Sequence, residues 1–560
     1  MSHQGKQVIN NGKENPGMER TTHGVIKNGP ITGSRTGGLF LRWWLILLIA
    51  CFIGAWSGCG GGNSGSSGGN SSDNSSDDIP DNSFDNSSAL NATAAGAYDL
   101  VFSNYSSNYT DSSMSVTTKT GSHTIKYKAY SNIVYVANPV DPEYESMNCY
   151  VPYEIDGGSI STTNAPILLN IDVGGYAASS VWGGRNVDNN GNGKYALAAG
   201  CVVVWVGCRG RDNYSSTDGF YGKAPAAIVD LKAAVRYIHY NAGTFPGNAD
   251  RIISSGGSAG GALSALLGAS GNSSLYDSYL QELGAADADD DIFAVGAWSP
   301  DTNLDHADMA YEWEYGSVSG STVNQAISGE LKSLFGNYQD GLFLSGKNSY
   351  GAIASSNIND YILGYYLEPS ATIYLNSLSP SDRTTYLNNH TWITWDGSTA
   401  TFTFSDYINY TGREKSVPAF DSFIDSSSYS NVNTSETAEI AEFGDSTTNA
   451  RHFTDYSLQK TTGDSGVTIV GDLKAIVNMM NPMYFVGRQN SKCAEYWYIR
   501  QGSRDLYNSV IVMIDLATSI ENFMGEDHVD AWVDWDKDHN INADPDGFIT
   551  WIDAITGYSI

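Results

Sequence analysis

Basic residues are scarce. Lys and Arg total 30 against 61 Asp and Glu, a net charge of −31 in 560 residues. A chain this acidic repels nucleic acid and anionic membrane surfaces, so neither is expected as a partner, and the charge bears on solubility rather than fold. Cysteines are few as well. The six (Cys51, Cys59, Cys149, Cys201, Cys208 and Cys493) include no C-x-x-C pair, which argues against a zinc ribbon or a thioredoxin-like site. Cys201 and Cys208 flank an apolar run and read as core thiols. Long membrane-spanning runs are missing: Trp43–Trp56 has the length of a signal-peptide core and is short for a spanning helix. No internal repeat is present. Asn542 to Asp553 partly matches a calcium loop, but no entering helix precedes it and it overlaps a predicted final helix, so no metal is expected.

What the amino end does hold is an export pattern. Arg20, Lys27, Arg35 and Arg42 precede the apolar stretch and Ser57-Gly58-Cys59 follows it, as in a bacterial lipoprotein signal with Cys59 lipidated. Leu48–Cys51 is an alternative lipobox and Met18 an alternative start. An uncleaved anchor and ordinary secretion are the other fates. All of them export the remainder, so a cell-surface or periplasmic location is expected, with membrane attachment only through residues 1–59. Residues 60–95 are Gly, Ser, Asn and Asp with almost no large apolar side chain. Such a stretch cannot bury enough surface to offset its ordering entropy and reads as a tether.

The rest has material for a core: 41% hydrophobic residues and thirteen tryptophans. Residues 126–136 predict one or two strands. Residues 165–173, 201–206, 249–255, 291–298, 493–500 and 528–533 predict further strands. Helices are predicted at 226–240, 260–267, 509–523 and 547–555. Alternation of the two implies a mostly parallel sheet with helices on both faces. The rhythm stops between 303 and 484, an aromatic-rich and irregular stretch that reads as an inserted lid between core segments 96–302 and 485–560.

The strand–helix junction at 256–260 reads Gly-Gly-Ser-Ala-Gly. This G-x-S-x-G pattern makes a tight turn that pushes a serine hydroxyl into solvent, with Ser258 as nucleophile. A serine needs an adjacent base, and the base needs a partner that fixes its tautomer. Two late strands end beside such residues. His539 follows the strand at 528–533, and Asp505 follows that at 493–500. Asp534 and Asp536 compete with Asp505 for the carboxylate role. Of nine histidines, His306 and His452 fall in the insert and His528 starts a strand at the far edge. The oxyanion donors are expected to be the N–H of Ala259 and one from Gly174 or Gly175. This chemistry calls for no cofactor.

Several stretches together resemble bacterial tannases and related feruloyl-esterase-like α/β-hydrolases. They are Tyr135–Asp141, Gly222–Arg236, the 256–260 turn, Asn303–Trp313, Phe443–Asp445 and Trp535–His539, and the likeness spans roughly residues 120–560. The resemblance implies an α/β-hydrolase fold with a large lid and hydrolysis of a small carboxylic ester through an acyl-serine, with the triad on Ser258, Asp505 and His539. It also implies a galloyl contact at Lys415 and a second at Glu439. The family's aspartate two places after the triad acid is Tyr507 here, which cannot accept a phenol's hydrogen bond as a carboxylate does, so gallate need not be the acyl group. A prolyl-oligopeptidase-type peptidase shares the sheet and triad but carries a separate β-rich domain first. A surface module that only binds phenolics or glycans would not need the triad.

Overall fold

The computed structural model describes residues 97–182, 187, 191–318, 322–424, 427–540 and 542–560. Residues 1–59, read above as an export signal and including Cys51 and Cys59, and the stretch 60–95, read as a tether, lie outside the described residues. A ten-stranded sheet organises the rest. Its strands are β1 (Thr110–Thr118), β2 (Gly121–Val134), β3 (Ser146–Ile155), β4 (Gly158–Ser159), β5 (Ile167–Ile171), β6 (Val202–Val206), β7 (Ile252–Gly257), β8 (Ala294–Trp298), β9 (Tyr496–Gly502) and β10 (Val529–Asp534). The spatial order is β1-β2-β3-β6-β5-β7-β8-β9-β10, with β4 paired to β3. From β6 to β10 every pairing is parallel. The β1–β3 end is antiparallel.

Both faces of the parallel part are covered. On β6, Val202, Val204 and Val206 enter one apolar cluster with helices α2 (Ala226–Tyr240), α3 (Ala259–Ala269) and α6 (Val510–Met524). Val203 and Trp205 enter a second, opposite cluster with α1 (Gly191–Ala198) and α7 (Pro545–Thr556). The two-residue alternation of a strand divides the valine run between the layers, as a strand buried on both sides requires. Each such side chain contributes about 1.5–3 kcal/mol by leaving water. Among the described residues no helix is long and apolar enough to cross a membrane, and no group of three or more His, Cys, Asp or Glu is placed to hold a metal ion. Asp544 instead caps α7 by accepting the Gly547 N–H and pairs with Lys119.

Of the one or two strands expected within residues 126–136 there is one, β2, which starts at Gly121, ends at Val134 and carries two register shifts. One expectation needs correction. The stretch between β8 and β9 is not irregular but largely helical. It holds α4 (Leu304–Tyr315), α5 (Gln325–Gly341) and further helices at Glu368–Ser377, Pro380–Asn389, Phe404–Thr411, Asp455–Thr462 and Gly471–Met479. Several of these start on a polar cap: Asn324, Ser379, Thr403 and Thr454 accept N–H groups of the first turn. Tyrosine carries much of their packing. Tyr361, Tyr366 and Tyr407 are buried in the same cluster as α2, α3 and α6, so the insert and sheet share one core.

Candidate active site

β7 runs into α3 through Ser258, whose backbone sits at φ 58°, ψ −127°, a region that L-residues avoid unless neighbours enforce it. The enforcement is visible. The Ser258 N–H donates to the Trp298 carbonyl at 2.9 Å, and the Gly260 N–H donates to Val173 at 2.9 Å. A Cβ at Gly256 would lie 2.2 Å from the Gly260 oxygen, so this turn admits only glycine there. The Ala259 N–H opens α3 and has no acceptor within the helix. Gly175 follows β5 in the left-handed region at φ 52° and lies on the wall of the Ser258 cavity. Gly174 sits one residue back, its carbonyl taken by the Ala177 N–H.

His539 comes from the loop after β10. Its Nδ1 lies 3.0 Å from both carboxylate oxygens of Asp505, which is buried in the loop after β9. Asp534 and Asp536 do not make this contact; Asp536 faces Arg504. The Tyr507 and Asn508 N–H groups also donate to Asp505. Burial disfavours the imidazolium, but the hydrogen bond to Asp505, the Asp505 charge and that of Asp301 outweigh it, and the pKa of His539 is raised above its ordinary value. Ser258 and His539 share the wall of a cavity of about 390 Å³ with Gly175, Asp301, Lys415, Glu439 and Tyr507. A serine on a strained turn, an imidazole tethered to a carboxylate and free N–H groups can together carry nucleophilic acyl transfer.

The insert supplies the opposite wall. Lys415 Nζ lies 3.9 Å from Glu439 Oε1 and 3.6 Å from the centre of the Phe420 ring. Glu439 is buried on the short helix Ala438–Glu442. Tyr507 is half-exposed at the mouth, its ring centroid 5.1 Å from that of His539. One helix braces both walls. From α4, Tyr315 donates its hydroxyl to the Asp505 carbonyl at 2.9 Å, and Tyr311 donates to the Leu506 carbonyl while accepting the Lys415 N–H at 3.0 Å. Glu312, also on α4 and fully buried, holds Arg413, two residues before Lys415, through a hydrogen bond of 2.7 Å. Glu312→Gln strands that guanidinium. It should cost about 3 kcal/mol or more, read as a lower Tm together with a raised KM; an unchanged melt would show that the pair carries no load.

Of the wall residues that the sequence reading missed, which include Asn433, Thr437 and Asn508, Asp301 is the acidic one. It lies three residues past the carboxyl end of β8, the edge from which the nucleophile's neighbours emerge, and that position is the only signal the sequence offered.

The comparisons with known proteins agree with an α/β-hydrolase fold. The esterase family model BD-FAE matches residues 158–337. The chain is similar to the solved tannin acyl hydrolase of Lactobacillus plantarum, at 33% identity and a TM-score of 0.69, over 82% of this chain and 99% of that one. It is also similar to the tannase of Fusobacterium nucleatum, at 34% identity and a TM-score of 0.70, over 82% of this chain and 100% of that one. Other similar structures are tannin acyl hydrolases in complex with 3,4-dihydroxybenzoate (34% identity, TM-score 0.68) and with ethyl gallate (33%, 0.69), each over 82% of this chain and 99% of that one. No curated protein matches the chain.

Proposed function

The chain belongs to the bacterial tannase family of α/β-hydrolases and is a carboxylic ester hydrolase, and from that premise we propose that it cleaves small phenolic esters through an acyl intermediate on Ser258. The observation that carries this reading is the His539–Asp505 pair, with Nδ1 at 3.0 Å from both oxygens, in one cavity with a serine at positive φ. His539 takes the Ser258 proton as the hydroxyl adds to the ester carbonyl, then returns it to the departing alcohol. Ala259 and Gly175 N–H groups receive the oxyanion. Water, activated by the same imidazole, releases the acid and restores the serine.

Residues 303–484 act as the lid, lending Lys415 and Glu439 to the ring of the acyl group while Tyr507 lines its mouth. Export through residues 1–59, with Cys59 lipidated, completes the proposal; incorporation of labelled fatty acid that is lost in Cys59→Ala checks it.

The esterase activity is tested by assaying the full-length protein on methyl gallate, methyl ferulate and p-nitrophenyl acetate, and by treating it with a fluorophosphonate that caps nucleophilic serines. Hydrolysis of at least one ester, with the label on Ser258, is the expected result. Label on another serine, or no turnover at all, would refute the assignment.

A further inference from the structure

Asp301 has no part in the acyl-transfer steps above, yet its backbone is held at both ends. Its N–H donates to the Ser258 carbonyl at 3.2 Å, and its own carbonyl accepts the Tyr176 hydroxyl at 2.6 Å. The residue is only 6% exposed. It nevertheless lines the same cavity as Glu439 of the insert, so two acidic side chains from different parts of the chain share the wall of the space that a substrate must enter.

Resting on the esterase reading above, we propose that Asp301 is a specificity residue which, with Glu439, forms a two-carboxyl clamp for the adjacent hydroxyls of a dihydroxylated acyl ring. Burial and the Glu439 charge raise Asp301 to about 7, while Lys415 and His539 oppose the rise. A protonated Asp301 offers one O–H donor beside its acceptor lone pairs, and the second carboxyl adds further acceptors. A vicinal diol offers the matching set, since each hydroxyl both donates and accepts. Lys415 adds a cation beside Glu439, and the small side chains of Ala419 and Ala438 line the same cavity. Tyr507 supplies no carboxylate and its ring stands by His539 at the mouth, so the acceptor for the second hydroxyl comes from the β8 side instead. A site built to bond hydroxyls rejects the analogue that lacks them, because its buried polar groups are then left unpaired.

The test compares kcat/KM on methyl 3,4-dihydroxybenzoate and on methyl benzoate for the full-length wild type, Asp301→Asn and Asp301→Leu. Thermal melts and fluorophosphonate labelling of Ser258 serve as folding controls. The wild type should prefer the dihydroxylated ester, and both variants should shrink that ratio by about ten- to hundredfold. Should Asp301→Leu not fold, Asp301→Asn, which keeps the size and shape, decides the matter. A ratio unchanged in the variants, or an equal fall on both esters, overturns the clamp. A wild type that hydrolyses p-nitrophenyl acetate but ignores the ring hydroxyls also overturns it and leaves the esterase intact. A wild type inert on every ester removes both.

Discussion

Ser258→Ala should lower kcat on every substrate by about 10⁴- to 10⁶-fold, as loss of a nucleophile does in serine hydrolases of other folds. The alanine methyl has no proton for His539 to take and no lone pair to offer the carbonyl carbon, so the acyl intermediate cannot form. What remains is the oxyanion site and binding, worth about 10³–10⁴ over water. The fold should survive. The turn is held by backbone bonds from Ser258 to Trp298 and from Gly260 to Val173, which do not use the side chain. Single-turnover assays on the purified variant, alongside thermal melts, check both points. Residual kcat within tenfold of wild type would mean that another group attacks the ester.

Asp505→Asn should cost about 10⁴ in kcat with little change in KM. An amide at that position can present N–H to the imidazole, turning it to the tautomer that cannot accept the serine proton. The pH profile gives a second, independent readout. The base must be neutral, so wild-type kcat/KM rises with pH through a midpoint set by His539, which lies above 6.5 because the pull of Asp505 and Asp301 exceeds the opposing effect of burial. Without the Asp505 charge, burial remains and its upward pull is gone. The acidic limb should therefore move to lower pH. A limb that stays in place, or climbs, would show that Asp505 does not govern the imidazole.

Much of this site was legible before any coordinates. The turn at 256–260 could be read because steric necessity is written into its glycines: Gly256 has no room for a side chain. The parallel strands could be read because burial on both faces demands continuous apolar runs, as in Val202–Val206. The edge was harder. β1 reads Thr-Asp-Ser-Ser-Met-Ser-Val-Thr-Thr and is mostly exposed, with only Val116 buried, so it lacks the hydrophobic signature that a covered strand needs. β3 holds Pro152, which ordinarily argues against an interior strand. The helices of the insert were hidden for a different reason. Their starts depend on single polar caps, and their packing on tyrosines whose hydroxyls reach distant carbonyls, as Tyr407 does at Ser503. Asp301 was missed because only the fold brings it into one cavity wall with Glu439, 138 residues further along the chain.

Because Tyr311 holds the carbonyl of Leu506 and the amide of Lys415 with one hydroxyl, the loop that steadies the base and the loop that meets the substrate ring form one mechanical unit. Selection for a bulkier or differently shaped substrate at residues 415–419 therefore tugs on the carboxylate behind His539. Engineered selectivity in this protein should come coupled to turnover number.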